Sequence, residues 1–353
     1  MLALGIDSYG GNQEIVASIE EINRVALELK LAANCLEGFP LAVIDPFTVI
    51  EYQIAIAPVI EKLKRLHNYA LIAAENYFTT EAQISRRFEF AFVPELAALA
   101  LQFAAGAGWK LDYQARANLV HKAKAKKPNS ITELLDRLNR LSAKQRPTIG
   151  IDLYQQRSGD RIALVYVPGT QALGLGSNPL DMASNVQAMA GAGNAASEKA
   201  VTLAMRQAGL TEKDQVIYVG HSQGGMVVGN LATSSAFHAV GLLTFGAPIA
   251  QLAKLKIPVM AVEHVNDPVP NISGKANPMK SNWITIQRVS EKGESNAIAF
   301  SHSLKSYRNT ATEIDQSKDK SVTSIRSALL RELANSKPSS ALEFEISRAV
   351  RKP

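Results

Sequence analysis

An apolar, β-branched run, Val216-Ile217-Tyr218-Val219, ends in Gly220-His221-Ser222-Gln223-Gly224 and passes into a helix-forming stretch from Gly225. Strand, sharp turn and helix are the context in which a G-x-S-x-G pentapeptide forms a nucleophile elbow, with the serine hydroxyl pointing outward. A serine on so tight a turn sits in strained backbone, where neighbours with a Cβ would collide. Gly220 and Gly224 let the strand and the helix approach closely. This stretch therefore constrains the fold to a sheet whose strands alternate with helices, and it marks one end of that sheet.

The remaining signals past residue 145 agree. Thr148 to Tyr154 alternates Ile149, Ile151 and Leu153 against small or polar residues, and Arg161 to Val167 is nearly continuous apolar sequence ending in Pro168-Gly169-Thr170. Strands are expected over Val216–Val219, Val240–Phe245, Pro258–Val265 and Trp283–Val289. Helices are expected over much of Asp181–Gln207, over Gly225–Ser235 and over His302–Glu313. Buried strands alternating with helices imply a mostly parallel sheet covered on both faces, an α/β class of fold.

Residues 1–145 read as a separate all-α domain. Ile15, Ile19, Ile22, Ala26, Leu29, Ala33 and Leu36 form one heptad-like stripe, and Ile56, Val59, Leu63, Leu66, Ala70, Ala73 and Tyr77 form a second. A Pro-containing turn from Phe39 to Phe47 separates them, so an antiparallel helical hairpin is expected. Its seam can close on itself, on the next domain or on another chain, as a homodimer or with a helical partner. Asp112–Lys124 is expected to be a further helix. Ser130-Ile131-Thr132-Glu133 is a capping box opening a short helix that carries Ile131, Leu134, Leu135, Leu138 and Leu141. The sequence divides into a helical domain at 1–145, a catalytic domain at 146–314 and a charged, serine-rich tail at 315–353, expected to be a surface appendage.

Composition narrows the function classes. The 353 residues are 46% hydrophobic and 20% charged, enough apolar material for a substantial core. The net charge is +6, partly from the run His121 to Lys127. No aromatic residues interleave that run, so a solvated linker is expected rather than a nucleic-acid site. A single cysteine, Cys35, excludes an intrachain disulfide framework and a cysteine-rich metal site, and is expected to be buried on its helical stripe. No basic region followed by an apolar run opens the chain, and no stretch of about 18 apolar residues occurs, so neither a signal peptide nor a transmembrane helix is expected.

A serine hydroxyl is a poor nucleophile near neutral pH. It needs a histidine to take its proton and a carboxylate to orient that histidine. In the elbow architecture these follow in the order serine, acid, histidine. Asp267 lies just past the apolar run Pro258–Val265, where a sheet delivers side chains to its functional edge. Glu263 is a rival inside the strand. His302 lies after the last expected strand on a loop entering a helix, and His264 is its main competitor. The oxyanion formed during acyl transfer needs two fixed donors. The backbone N–H of Gln223, at the start of a helix, is one candidate, and that of Thr170, in the turn after Val167, is the other.

In this order the chain resembles an α/β-hydrolase, and within that superfamily class 3 lipases and their esterase relatives. The resemblance rests on Val219-Gly220-His221-Ser222-Gln223-Gly224-Gly225, Leu243-Thr244-Phe245-Gly246-Ala247-Pro248, Asn266-Asp267-Pro268-Val269-Pro270, and His302 with Tyr307, spanning roughly 148–310. It implies a serine esterase or lipase acting on a small-molecule or lipid ester, with Ser222 as nucleophile, Asp267 as orienter and His302 as base, and without metal or cofactor. Two departures stand out. Thr170 to Val216 shows no clear strand, and only about ten residues separate Phe245-Gly246-Ala247-Pro248 from the next strand, leaving no room for a cap. A lid would have to come from Gln171–Ser197 or from the helical segment. The N-terminal hairpin weakly resembles those of leaderless type VII secretion substrates, and Tyr77-Phe78-Thr79-Thr80-Glu81 fits the Y-x-x-x-D/E export pattern, although no W-x-G turn joins the hairpin. The expected location is the cytoplasm, or outside the cell by such a route. The other expectation is a helical interaction or secretion module whose hydrolase-like domain is catalytically silent. Transfer of the acyl group to an alcohol or amine in place of water also stays open.

Overall fold

The computed structural model describes residues 6–11, 27–37, 56–65, 113–171, 177–181, 184, 195–234, 236–252, 254–273, 276–290 and 300–350. The chain divides into two compact units, Asn12–Arg87 and a larger unit made of Met1–Gly11 with Phe88–Pro353. In the larger unit the strands are β1 (Asp7–Gly10), β2 (Tyr113–Lys124), β3 (Thr148–Gln156), β4 (Arg161–Val167), β5 (Gln215–His221), β6 (His238–Phe245), β7 (Val259–His264), β8 (Trp283–Arg288) and β9 (Ser336–Val350). The helices are α1 (Ile131–Ser142), α2 (Ala196–Gln207), α3 (Gln223–Thr233), α4 (Leu304–Gln316) and α5 (Lys320–Ala334).

The strands form one sheet in the order β1-β8-β7-β6-β5-β4-β3-β9-β2. Strands β4 to β8 run parallel, and β1, β3, β9 and β2 add antiparallel flanks. The sheet is thus parallel across its centre and mixed as a whole. No strand separates β4 from β5, because Ile162 to Val167 pair directly with Gln215 to Gly220.

Period-two alternation builds two cores. Ala163, Val165 and Val167 join Val216 and Tyr218 under α2 and α3. Ile162, Leu164 and Tyr166 join Ile217 and Val219 beneath α1, α4 and α5. The central strands are buried on both faces, which explains their nearly unbroken apolar sequences.

Helix α1 forms as its capping box predicts. Ser130 Oγ accepts the Glu133 N–H at 3.1 Å, and the five expected apolar residues are buried at 0–1% exposure. Each such side chain contributes about 1.5–3 kcal/mol relative to exposure. The carboxylate of Asp315, in α4, also accepts the Ile131 and Thr132 N–H groups at 2.8 and 2.9 Å, placing negative charge at the helix N-terminus.

Three expectations about organisation are corrected. The segment Asp112–Lys124 is not a helix: Tyr113–Lys124 is strand β2, paired along its length with β9. Its alanines favour a helix in isolation, but Ala115, Ala117 and Leu119 alternate with polar residues, and pairing overrides propensity. The tail is not an appendage. Residues 320–334 form α5, and 336–350 form β9, inserted between β3 and β2 with Leu342, Phe344 and Ile346 buried. Its polar partners are neutralised, Glu343 by Arg137 and Lys144, and Glu345 by Arg146. The boundary at residue 145 also moves, because β1, β2 and α1 all belong to the sheet unit.

In the smaller unit, 27–37 and 56–65 are helical, and Lys64 Nζ pairs with Glu37. Ala33 is buried and Leu29 and Leu36 are half-buried, as their stripe predicts, but Val59 is 44% exposed and Cys35 faces solvent. The expected turn at Phe39–Phe47, most of the second stripe and the Tyr77–Glu81 pattern lie outside the described residues.

Candidate active site

Parallel strands deliver their C-terminal ends to one edge of a sheet, where the loops that follow them converge. Here the turn Pro168–Thr170 follows β4, Ser222 follows β5 and Asp267 follows β7, while His302 lies on the approach to α4.

Ser222 has φ 52° and ψ −124°, and no other described non-glycine residue has positive φ. Its backbone N–H donates to Phe245 O at 2.9 Å, which ties the elbow to the neighbouring strand. The flanking glycines are sterically required. A Cβ on Gly220 would stand 2.5 Å from the Gly225 backbone, and one on Gly224 would stand 2.0 Å from Val167 O. As Ser222 precedes α3, the Gln223 N–H opens the helix and has no intrahelical acceptor.

The Ser222 hydroxyl donates to His302 Nε2 at 2.8 Å, and His302 Nδ1–H donates to Asp267 Oδ2 at 2.7 Å. A carboxylate can only accept, so this arrangement leaves Nε2 bare and facing the serine. The Asp267 side chain is fully buried and Ser222 is 8% exposed, whereas the His302 side chain is 23% exposed, so the line meets solvent chiefly at its histidine. Tyr307, from α4, donates to the same Asp267 Oδ2 at 2.7 Å, and the Val269 N–H donates to Oδ1 at 3.0 Å. Burial pushes the Asp267 carboxyl up, but the His302 hydrogen bond and charge, with the Val269 and Tyr307 donors, outweigh it and hold the group below the usual aspartate range. Tyr307 is pushed well above the ordinary tyrosine value by burial and stays a donor.

The rivals do not reach the serine line. His264 is buried, stacked on Tyr307 at 3.9 Å and 4°, with Nδ1–H donating to Ser301 O at 2.6 Å and Nε2 accepting from Thr310 Oγ1 at 2.8 Å. Glu263 is buried, accepts from Asn277 Nδ2 at 2.6 Å, and is pushed up to about 7 by burial. His221 is buried beside the nucleophile, and its Nε2–H donates to His302 O at 2.9 Å.

Burial lowers His221 to about 3, with repulsion from His302 adding to it, and lowers His264 to about 4. Both rings are therefore neutral donors near neutral pH. A ring with folded pKa about 4 and an ordinary value of 6.5 binds fewer protons folded than unfolded between those limits. The stability it contributes is present above pH 6.5 and is lost as pH falls towards 4. Relative to His264→Asn, the wild type is expected to lose about 1.4 kcal/mol per pH unit over that window, measured by urea unfolding at a series of pH values.

The second expected oxyanion element also lies at the serine. A Cβ added to Gly169 would sit 3.0 Å from Ser222 Cβ, which places the turn carrying Thr170 against the elbow. The loop behind Gln223 is fixed from afar. Gln223 Nε2 donates to Asp181 O at 3.0 Å, and Arg348 of β9 pairs with the Asp181 carboxylate, with both side chains at 0% exposure. Arg348 Nη1 also donates to Ser184 Oγ at 3.0 Å, and its backbone N–H donates to Ser177 O at 2.8 Å. Residues 177–181 and 184, within the expected lid segment, are thus pinned to the sheet; most of Gln171–Ser197 before α2 lies outside the described residues. Arg348 and Asp181 are 167 residues apart and match no local motif, so no signal in the sequence singles them out.

Among the described residues, no cluster of three His, Cys, Asp or Glu side chains is arranged to hold a metal ion, and no helix is long and apolar enough to cross a membrane. Compared with known protein families, curated proteins and solved structures, the chain matches none.

Proposed function

We propose that the chain is a serine hydrolase of the α/β-hydrolase type, related to class 3 lipases and esterases, that cleaves carboxylic esters through an acyl-enzyme on Ser222. The observation that carries this is the unbroken line Ser222 Oγ–His302 Nε2 at 2.8 Å and His302 Nδ1–Asp267 Oδ2 at 2.7 Å, with a strained backbone presenting the serine. As Ser222 Oγ attacks the ester carbonyl, its proton passes to His302 Nε2, and Asp267 stabilises the imidazolium. The carbonyl oxygen becomes an oxyanion held by the backbone N–H groups of Gln223 and Thr170, the first assisted by the α3 dipole. Collapse breaks the ester C–O bond, and His302 returns the proton to the departing alkoxide, releasing an alcohol. Water then attacks the acyl-enzyme, with His302 again the base, and frees the acid and Ser222.

The test is hydrolysis of a p-nitrophenyl ester series of increasing chain length, with and without a detergent interface. Turnover is expected for the wild type. It should fall by on the order of 10⁴-fold or more in His302→Ala, as when other triads lose their base. Undiminished turnover in His302→Ala, or none in wild type with any ester, overturns the assignment. Long-chain preference with interfacial activation indicates a lipase, and short-chain preference an esterase.

A further inference from the structure

We infer that His221 and His264 are positioning residues for the base of the proposed triad, holding the carbonyls of two consecutive residues, Ser301 and His302. This inference rests on the function proposed above and adds to it the means by which three distant segments keep their register.

His221 is the last residue of β5 and adjoins Ser222. Its Nε2–H holds His302 O at 2.9 Å. His264 is the last residue of β7, three before Asp267. Its Nδ1–H holds Ser301 O at 2.6 Å. The base is thereby tied through its own backbone to the strand that carries the nucleophile and to the strand that carries the acid. A carbonyl only accepts, so His221 takes the Nε2–H tautomer and His264 the Nδ1–H tautomer.

Neither ring can move freely. The His264 ring is stacked on Tyr307, and its Nε2 takes the Thr310 hydroxyl at 2.8 Å. Its own backbone N–H donates to Tyr307 Oη at 3.1 Å, and the Asp267 N–H donates to His264 O at 3.0 Å. Ser301 Oγ adds a third tie by donating to Asn266 O at 2.9 Å. The His221 ring lies 4.8 Å from that of His302 and is enclosed by the oxyanion turn, since a Cβ on Gly169 would stand 2.9 Å from His221 Nδ1. His302 must satisfy Ser222 and Asp267 at once, and a misplacement of about 1 Å costs roughly 100-fold in rate. Two short bonds to adjacent carbonyls suppress that displacement.

The test compares variants that remove the N–H with variants that restore it. His221→Leu and His264→Leu remove it. His221→Gln returns an amide N–H near the Nε2 position, and His264→Asn returns one near Nδ1. Two readouts are taken: kcat and KM on a p-nitrophenyl ester, and the far-downfield proton resonance of His302 Nδ1–H, which reports its bond to Asp267. Each leucine variant is expected to lower kcat by roughly 10- to 100-fold with KM little changed, and to broaden or shift that resonance. Each amide variant is expected to recover most of both. Leucine variants with unchanged kcat and resonance overturn the proposal, as do amide variants as impaired as the leucine ones. If a leucine variant does not fold, the amide variant at that position decides: kcat and resonance close to wild type support the proposal, and a folded amide variant that loses about tenfold or more in kcat overturns it. A wild type without ester turnover, whose downfield resonance still responds to His221 as described, sinks the proposed function and leaves the positioning role standing.

Discussion

Ser222→Ala is expected to lower ester turnover by on the order of 10⁴- to 10⁶-fold, the range seen when other triads lose their nucleophile. Alanine supplies no oxygen to attack the carbonyl and no proton for His302 Nε2. The variant should fold as the wild type does. Alanine meets the same backbone strain at φ 52° as serine, and the Ser222 N–H bond to Phe245 O is a main-chain contact that survives. A small residual turnover is expected if the Gln223 and Thr170 N–H groups hold the oxyanion as proposed, as other triads show when disarmed. Steady-state kinetics with a matched melting curve separates lost chemistry from lost structure. Loss of less than about tenfold, with the melting temperature unchanged, contradicts the assignment of Ser222.

The second large effect is on stability. Arg348→Met is expected to destabilise the fold by about 3–5 kcal/mol, because it leaves the Asp181 carboxylate buried without its partner. Both side chains are at 0% exposure, so water does not replace the guanidinium. The damage should reach the site as well, since the Asp181 carbonyl receives Gln223 Nε2 and the Ser184 hydroxyl loses its donor. In the double variant Arg348→Met/Asp181→Leu the stranded charge is gone, and most of the stability should return. Urea unfolding of the wild type, both single variants and the double variant gives the coupling directly. A cost below about 1 kcal/mol for Arg348→Met would show that the pair is solvated and that β9 does not brace the loop.

The parts of this molecule that were legible in the sequence are those whose signals are local. Arg161–Val167 and Val259–His264 are buried on both faces and therefore read as apolar runs, and the turn glycines announce the elbow. Ser222, Asp267 and His302, which the structure brings into one hydrogen-bonded line, stand out in the sequence because each lies just beyond such a run or at a helix entrance, in a fixed chain order. The parts that were missed depend on distant partners. Strand β9 looked like a charged tail because Glu343 and Glu345 alternate with Leu342, Phe344 and Ile346, and the cations that neutralise them come from α1 and the approach to β3. Strand β2 looked helical because its alanines carry helix propensity, and only pairing with β9, more than 200 residues later, decides otherwise. His221 and His264 carry no motif for their roles, since a neutral ring that holds a carbonyl is defined by the fold around it.

The most direct measurement is fluorophosphonate labelling followed by intact-mass analysis and peptide mapping. One adduct per wild-type chain is expected, located on Ser222, and none in Ser222→Ala under the same conditions. An unlabelled wild type, or equal labelling of Ser222→Ala, contradicts it.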